Sequence, residues 1–261
     1  MFPTSFIFII LASMNQFLAQ ARVMLTGAVS IFLGGAGQGY AQEQAPQDVH
    51  VRVLCYKRVQ PGTRVGIFNP DGKVLSGSGS LELPLYQLSE PIQLTGRSFN
   101  FIPTDAKDAP KWAPQNPMRA TVALPGTGKE FILFFVPSGP DETGPYKVIP
   151  IPAPEDEFKG GAYLLINGSK EILGGHFGKG AFKLNPGAST IVPPSSPDND
   201  PASRMAVLHT WDATTSAWSL RPFLSFPLAS NVRQRELLVF FSSPTTGKVL
   251  FRAVQDPLPG E

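Results

Sequence analysis

Apolar and polar side chains alternate along most of this 261-residue chain. Val49, Val51, Val53 and Cys55 fall on one side of an extended segment, and His50, Arg52, Leu54 and Tyr56 on the other. A period of two marks a half-buried strand, because successive side chains leave opposite faces. The same phase recurs at Val65 and Ile67, at Leu81, Leu83 and Leu85, at Ile92 and Leu94, and at Phe99 and Phe101. Strand signals continue over 119–124, 131–136, 146–151, 237–241 and 249–254. Met205, Val207, His209 and Trp211 also share one face. Pro84 cannot donate to a ladder, so its strand is predicted at a sheet edge. No apolar stripe at helical spacing exceeds two turns beyond residue 41.

Turn chemistry punctuates this pattern. Asn69-Pro70-Asp71-Gly72 suits a type I turn, with Pro second and Gly fourth. Pro125-Gly126-Thr127-Gly128 reads as a hairpin turn. Asn167-Gly168 predicts a type I′ hairpin, since both residues tolerate positive φ. Four glycines across 174–180 predict a bend, and Asn185-Pro186-Gly187 another turn. Residues 214–216 turn the chain between Trp211 and Trp218. Longer irregular pieces occupy 103–118, 137–145 and 193–201. The spacing predicts an all-β, antiparallel β-sandwich of roughly 12 to 14 strands. One internal echo bears on its organisation. Phe131 to Phe135 aligns with Leu237 to Phe241, and each is followed by Pro, then Thr-Gly, then Lys and Val. Two sandwich-like halves, or one hairpin type used twice, would both produce it.

Composition narrows the class. The chain has 27 Pro and 25 Gly, too many for a helical bundle. One Cys rules out an intrachain disulfide framework. Basic and acidic residues number 22 and 20, so no basic field exists to hold nucleic acid. The first 41 residues contain no acid and a single base, Arg22. Two apolar stretches flank Arg22, both shorter than the roughly 18 to 20 residues a bilayer span requires. Gly39-Tyr40-Ala41 then supplies small residues at a cleavage site. Residues 1–41 are therefore expected to be a signal peptide cut after Ala41, with translation starting at Met14; a retained anchor is the alternative. Residues 42–261 form the all-β region, with 103–118 as the candidate point of subdivision. The expected location is periplasmic or extracellular, with no stable membrane span after cleavage.

Most local chemistry reduces to structure. Lys129 follows a glycine-containing turn, but Glu130 and a strand follow it, unlike a phosphate loop. The 174–180 glycines lack dinucleotide spacing and a helix to end on. His50, His176 and His209 never stand two or four apart, so no local metal pair exists, and no cofactor is expected. Asp198-Asn199-Asp200 lacks the spacing of a calcium loop. Ser78 between Gly77 and Gly79 is not on a strand-to-helix elbow. Glu155, Asp156 and Glu157 sit in a loop rather than on a rigid element. Cys55 is in the buried phase, as an inert thiol would be. Asn167-Gly168-Ser169 fits a glycosylation acceptor, although the turn accounts for it.

The aromatics leave one candidate site. Trp211 and Trp218 flank a turn, and His209 shares the Trp211 face. Indole faces can stack on sugar rings, with a polar neighbour adding direction.

Leu165-Ile166-Asn167, the glycines at 174–180 and the run from Phe182 to Gly187 resemble exported bacterial β-sandwich proteins of the immunoglobulin-like kind. The resemblance covers about thirty residues. It implies export and an immunoglobulin-like sheet arrangement, and carries over no catalytic residue. The expectation is a non-enzymatic exported protein that binds an envelope protein or a glycan, or plays a structural role there. The alternatives are a carbohydrate-binding module using Trp211 and Trp218, and a hydrolase whose site is assembled across strands.

Overall fold

The computed structural model describes residues 48–59, 63–75, 80–105, 111–139, 143–194, 205–228, 232–243 and 245–258. Residues 1–41, Ser78 and Asp198-Asn199-Asp200 lie outside these residues. All described residues belong to one compact unit, 44–261. They form seventeen strands and no helix, so the chain is all-β. Among them no helix is long and apolar enough to cross a membrane.

In chain order, the first eight strands are β1 (Asp48–Cys55), β2 (Arg64–Phe68), β3 (Leu81–Glu82), β4 (Ile92–Thr95), β5 (Ser98–Thr104), β6 (Ala120–Ala123), β7 (Glu130–Pro137) and β8 (Tyr146–Pro152). They make two sheets, ordered β4-β1-β7-β8 and β3-β2-β5-β6. Val49, Val51 and Val53 of the first sheet share a core with Val65, Ile67, Phe99 and Phe101 of the second.

The remaining strands are β9 (Tyr163–Asn167), β10 (Leu173–Phe177), β11 (Gly180–Leu184), β12 (Ser189–Val192), β13 (Met205–Asp212), β14 (Ala217–Trp218), β15 (Leu224–Pro227), β16 (Gln234–Ser242) and β17 (Val249–Pro257). They repeat the plan. One sheet is β12-β9-β16-β17; in the other, β11-β10-β13 is completed by β15 and the small β14, both pairing with β13. With β14 set aside as an extra strand, the strand order of each sheet is the same in both halves. The sequence echo thus has a structural basis: β7 and β16 hold equivalent places, each next to the last strand of its half.

The β1- and β9-containing sheets are buried on both faces. Leu54, Ile132, Phe134 and Ile151 of the first meet Leu164, Ile166, Leu237 and Val239 of the second in a shared core. A third core joins Leu165, Leu238 and Phe240 to Leu173, Phe177 and Leu208. We call the β1 and β9 sheets inner and the other two outer.

Double burial corrects the expectation of wholly antiparallel sheets. β1 runs parallel to β7, and β9 parallel to β16. Strands covered on both sides need continuous apolar runs rather than alternation. Phe131 to Phe135 and Leu237 to Phe240 supply them.

Two turns also differ from expectation. The Pro125–Gly128 turn joins β6 to β7, which lie in different sheets, so it is a crossover and not a hairpin. Asn167-Gly168 likewise leaves an inner sheet for an outer one, because β9 and β10 do not pair. Asn167 is fully buried. Its amide donates to the carbonyls of Glu171 (2.8 Å) and Leu184 (3.0 Å), and its oxygen accepts from the Ser169 amide (3.0 Å) and hydroxyl (2.7 Å). A side chain so enclosed pins the corner and leaves no accessible nitrogen for a glycan. The glycine-rich 174–180 stretch is mostly strand β10, which turns at Gly178 (φ 56) into β11. The Asn69 turn forms as expected, with the Gly72 amide donating to the Asn69 carbonyl at 3.1 Å.

Candidate functional site

The outer face of the second outer sheet gathers the residues expected there. Alternation along β13 sends Ala206 and Leu208 into the core, so His209 and Trp211 point the other way. On neighbouring strands the same parity presents Gly174 and Lys183, which pair across the ladder. Trp218 is paired with Trp211 in register. The hairpin between them is held by Asp212, whose carboxylate accepts from the Thr214 amide at 2.8 Å. That bond, with further ones from Thr215, keeps the Asp212 carboxyl below the usual range.

The two indoles meet edge-on, with centroids 5.1 Å apart and planes at 78°. Lys183 Nζ lies 5.9 Å from the centre of the Trp211 ring. Trp218 rests on Gly174. A Cβ built on that glycine would lie 2.4 Å from Cη2 and 2.8 and 2.9 Å from its two ring neighbours. So small an increase over one bond length places that point above the ring plane, not beyond its edge. The indole therefore lies face-down on glycine backbone while 37% of Trp218 stays exposed. His209 Nδ1 is 2.7 Å from the Ser219 carbonyl. A carbonyl only accepts, so Nδ1 carries the proton and Nε2 is the other polar atom of the ring. The structure thus brings His209, Trp211 and Trp218 together and adds Lys183.

The other sequence candidates lie away from this face. Cys55 is fully buried, and its thiol donates to the Lys57 carbonyl at 3.1 Å. Burial pushes the thiol up to about 11. It also pushes up the nearby Tyr146 hydroxyl, whose oxygen accepts from the Val59 amide at 2.9 Å. Cys55 is expected to resist a disulfide reagent at pH 8 until denaturant is added; a thiol assay on the folded protein checks this. The sign of the pH effect follows. Below the unfolded value near 9 both states keep the proton, and stability is intact. As pH rises from there towards 11 only the unfolded chain ionises, so stability falls; urea melts at pH 8 and pH 10.5 would register the loss. Glu155, Asp156 and Glu157 are exposed in the loop after β8. Among the described residues no cluster of His, Cys, Asp or Glu could hold a metal ion.

A second site was not anticipated. The core between the two inner sheets is apolar in its middle but polar at one end. The inward positions read Leu54, Arg52, His50 along β1; Phe134, Ile132, Glu130 along β7; Leu237, Arg235 along β16; and Val254, Asp256 along β17. There the two sheets leave a cleft of about 620 Å³. Asp256 is 1% exposed, and its Oδ2 accepts from Arg52 Nη1 (2.6 Å) and Arg235 Nε (2.5 Å). Arg52 Nε also donates to the Ser89 carbonyl, and Arg235 Nη1 to that of Phe158. The opposite end of this core is plugged. Arg252 lies between the rings of Tyr56 and Tyr86 and donates to the carbonyls of Tyr56 and Leu85. The signal in the sequence was a polar residue in the buried phase of each strand.

No protein-family model matches the chain, and no curated protein matches it. The functional reading rests on this geometry.

Proposed function

We propose that the chain is an exported, non-enzymatic binding protein of the cell envelope, and that its second outer sheet holds a saccharide against Trp218. The supporting observation is the seating of that indole. One ring face rests over Gly174, and Trp218 stays 37% exposed. A braced ring is pre-organised, and a ligand stacking on it loses little side-chain freedom on its behalf. Lys183 and His209 supply polar groups beside the ring, which a sugar's hydroxyls require. The composition of residues 1–41 supports the export part of this reading.

The test is a glycan array, followed by titration of indole emission with the best oligosaccharide. Trp218→Ala is expected to weaken binding by about tenfold or more, as truncating a central aromatic contact does. Trp211→Ala is expected to weaken it less. Indole emission that ignores every glycan on the array would overturn the reading.

A further inference from the structure

The cleft between the two inner sheets has chemistry that the sheet packing leaves unused. Arg52 spends Nε and Nη1 on Ser89 and Asp256; Arg235 spends Nε and Nη1 on Asp256 and Phe158. Among the described residues the Nη2 group of neither guanidinium has a hydrogen-bond partner, and neither is a buried orphan. One carboxylate thus serves two guanidiniums, each with Nη2 left over, and both residues line the cleft. Such donors suit a carboxylate, which accepts parallel N–H bonds.

The rest of the lining limits what that carboxylate can belong to. Glu90, Glu130 and Glu155 also face the cleft. The Glu155 amide donates to Glu130 Oε2 at 2.5 Å, which holds the Glu130 carboxylate beside residue 155. Three carboxylates repel a polyanion such as a phosphate ester but attract an ammonium group. Glu130 stands opposite His50, two positions along β1 from Arg52. Two strand residues span about 6.7 Å. The carboxylate and guanidinium groups thus enter the cleft at different places along the strands, and its volume of about 620 Å³ has room between them for an extended di- or tripeptide, at about 3.5 Å per residue. Leu88, Ile132 and Phe158 give the cleft an apolar floor for side chains.

We infer that the cleft between the two halves binds a short peptide with free ends, its carboxylate on Arg52 and Arg235 and its ammonium between Glu130 and Glu155. The site is separate from Trp218 and does not depend on the saccharide reading.

Calorimetric titration of the intact protein with alanyl-leucine and alanyl-alanyl-leucine tests it. At least one should bind, and amidating its C-terminus should weaken binding about tenfold or more, the effect of losing a charge-assisted pair. N-acetylation should weaken it too. These comparisons alter only the ligand, so they hold whether or not a protein variant folds. Arg52→Gln is expected to reproduce the amide effect and Glu130→Gln the acetyl effect, while Trp218→Ala leaves peptide affinity unchanged. Absence of binding by both peptides, or equal affinity for free and amidated forms, would overturn the assignment. So would equal affinity for acetylated and free forms.

Discussion

Asp256→Ala is expected to lower the melting temperature by about 10 °C. Asp256 is 1% exposed and receives Arg52 from one half and Arg235 from the other. The two guanidiniums are themselves mostly covered, with side chains 21% and 12% exposed. Removing the carboxylate leaves two like charges facing each other at the end of an apolar core. Breaking a buried ion pair from one side costs about 3 to 5 kcal/mol. At about 2 to 4 °C per kcal/mol for a domain of this size, that is about 10 °C. Thermal melts followed by circular dichroism check it. The effect should come from the stranded charges rather than the lost contact. Changing Arg52, Arg235 and Asp256 together to apolar residues of similar volume should therefore recover most of the loss. A single variant that melts within 2 °C of the parent would show that water already reaches the three groups and screens them (about 1 kcal/mol or less).

The Asp256 cluster also shows how far the chain could be read in advance. Strand positions were legible because alternation is local: β1, the β16–β17 hairpin and the Asn69 turn lie where their residues predicted. Sheet membership was not legible. Asn167-Gly168 and Pro125–Gly128 announce that the chain turns, but turn chemistry does not say which sheet edge receives it. In both places it crosses to another sheet. The parallel pairs β1 with β7 and β9 with β16 are set by burial on both faces, which depends on strands distant in sequence. The same contrast separates the two sites. Trp211, Trp218 and His209 lie within ten residues, and one short hairpin brings them together. Arg52 and Asp256 are 204 residues apart, so their phase was readable but their meeting was not.

Adjacent glycines in β10 provide the sharpest contrast in expected stability. Gly175→Ala is expected to cost about 4 kcal/mol, and Gly174→Ala far less. Gly175 sits in mid-strand, paired with Phe182 on one side and Leu208 on the other, at φ +153. A Cβ there would lie 1.9 Å from the Val207 carbonyl oxygen and 3.1 Å from the Leu208 Cα. Both obstacles are backbone of β13, which cannot withdraw without opening the ladder it forms with β10. The sparsely populated φ costs about 1 to 3 kcal/mol for a residue with a side chain. Overpacking adds about 1 to 3 kcal/mol more. At Gly174 the obstacle is instead the outer end of the Trp218 indole. That side chain is partly exposed and stands on a two-residue strand, so it can swing aside without disturbing the sheet. Gly174→Ala should therefore shift indole emission and weaken any ligand stacked on Trp218 while leaving the urea midpoint nearly unchanged. Gly175→Ala should lower the midpoint sharply. Equal midpoints for the two variants would mean that β13 yields at Val207, and that the tight β10–β13 contact is not what holds the outer sheet together.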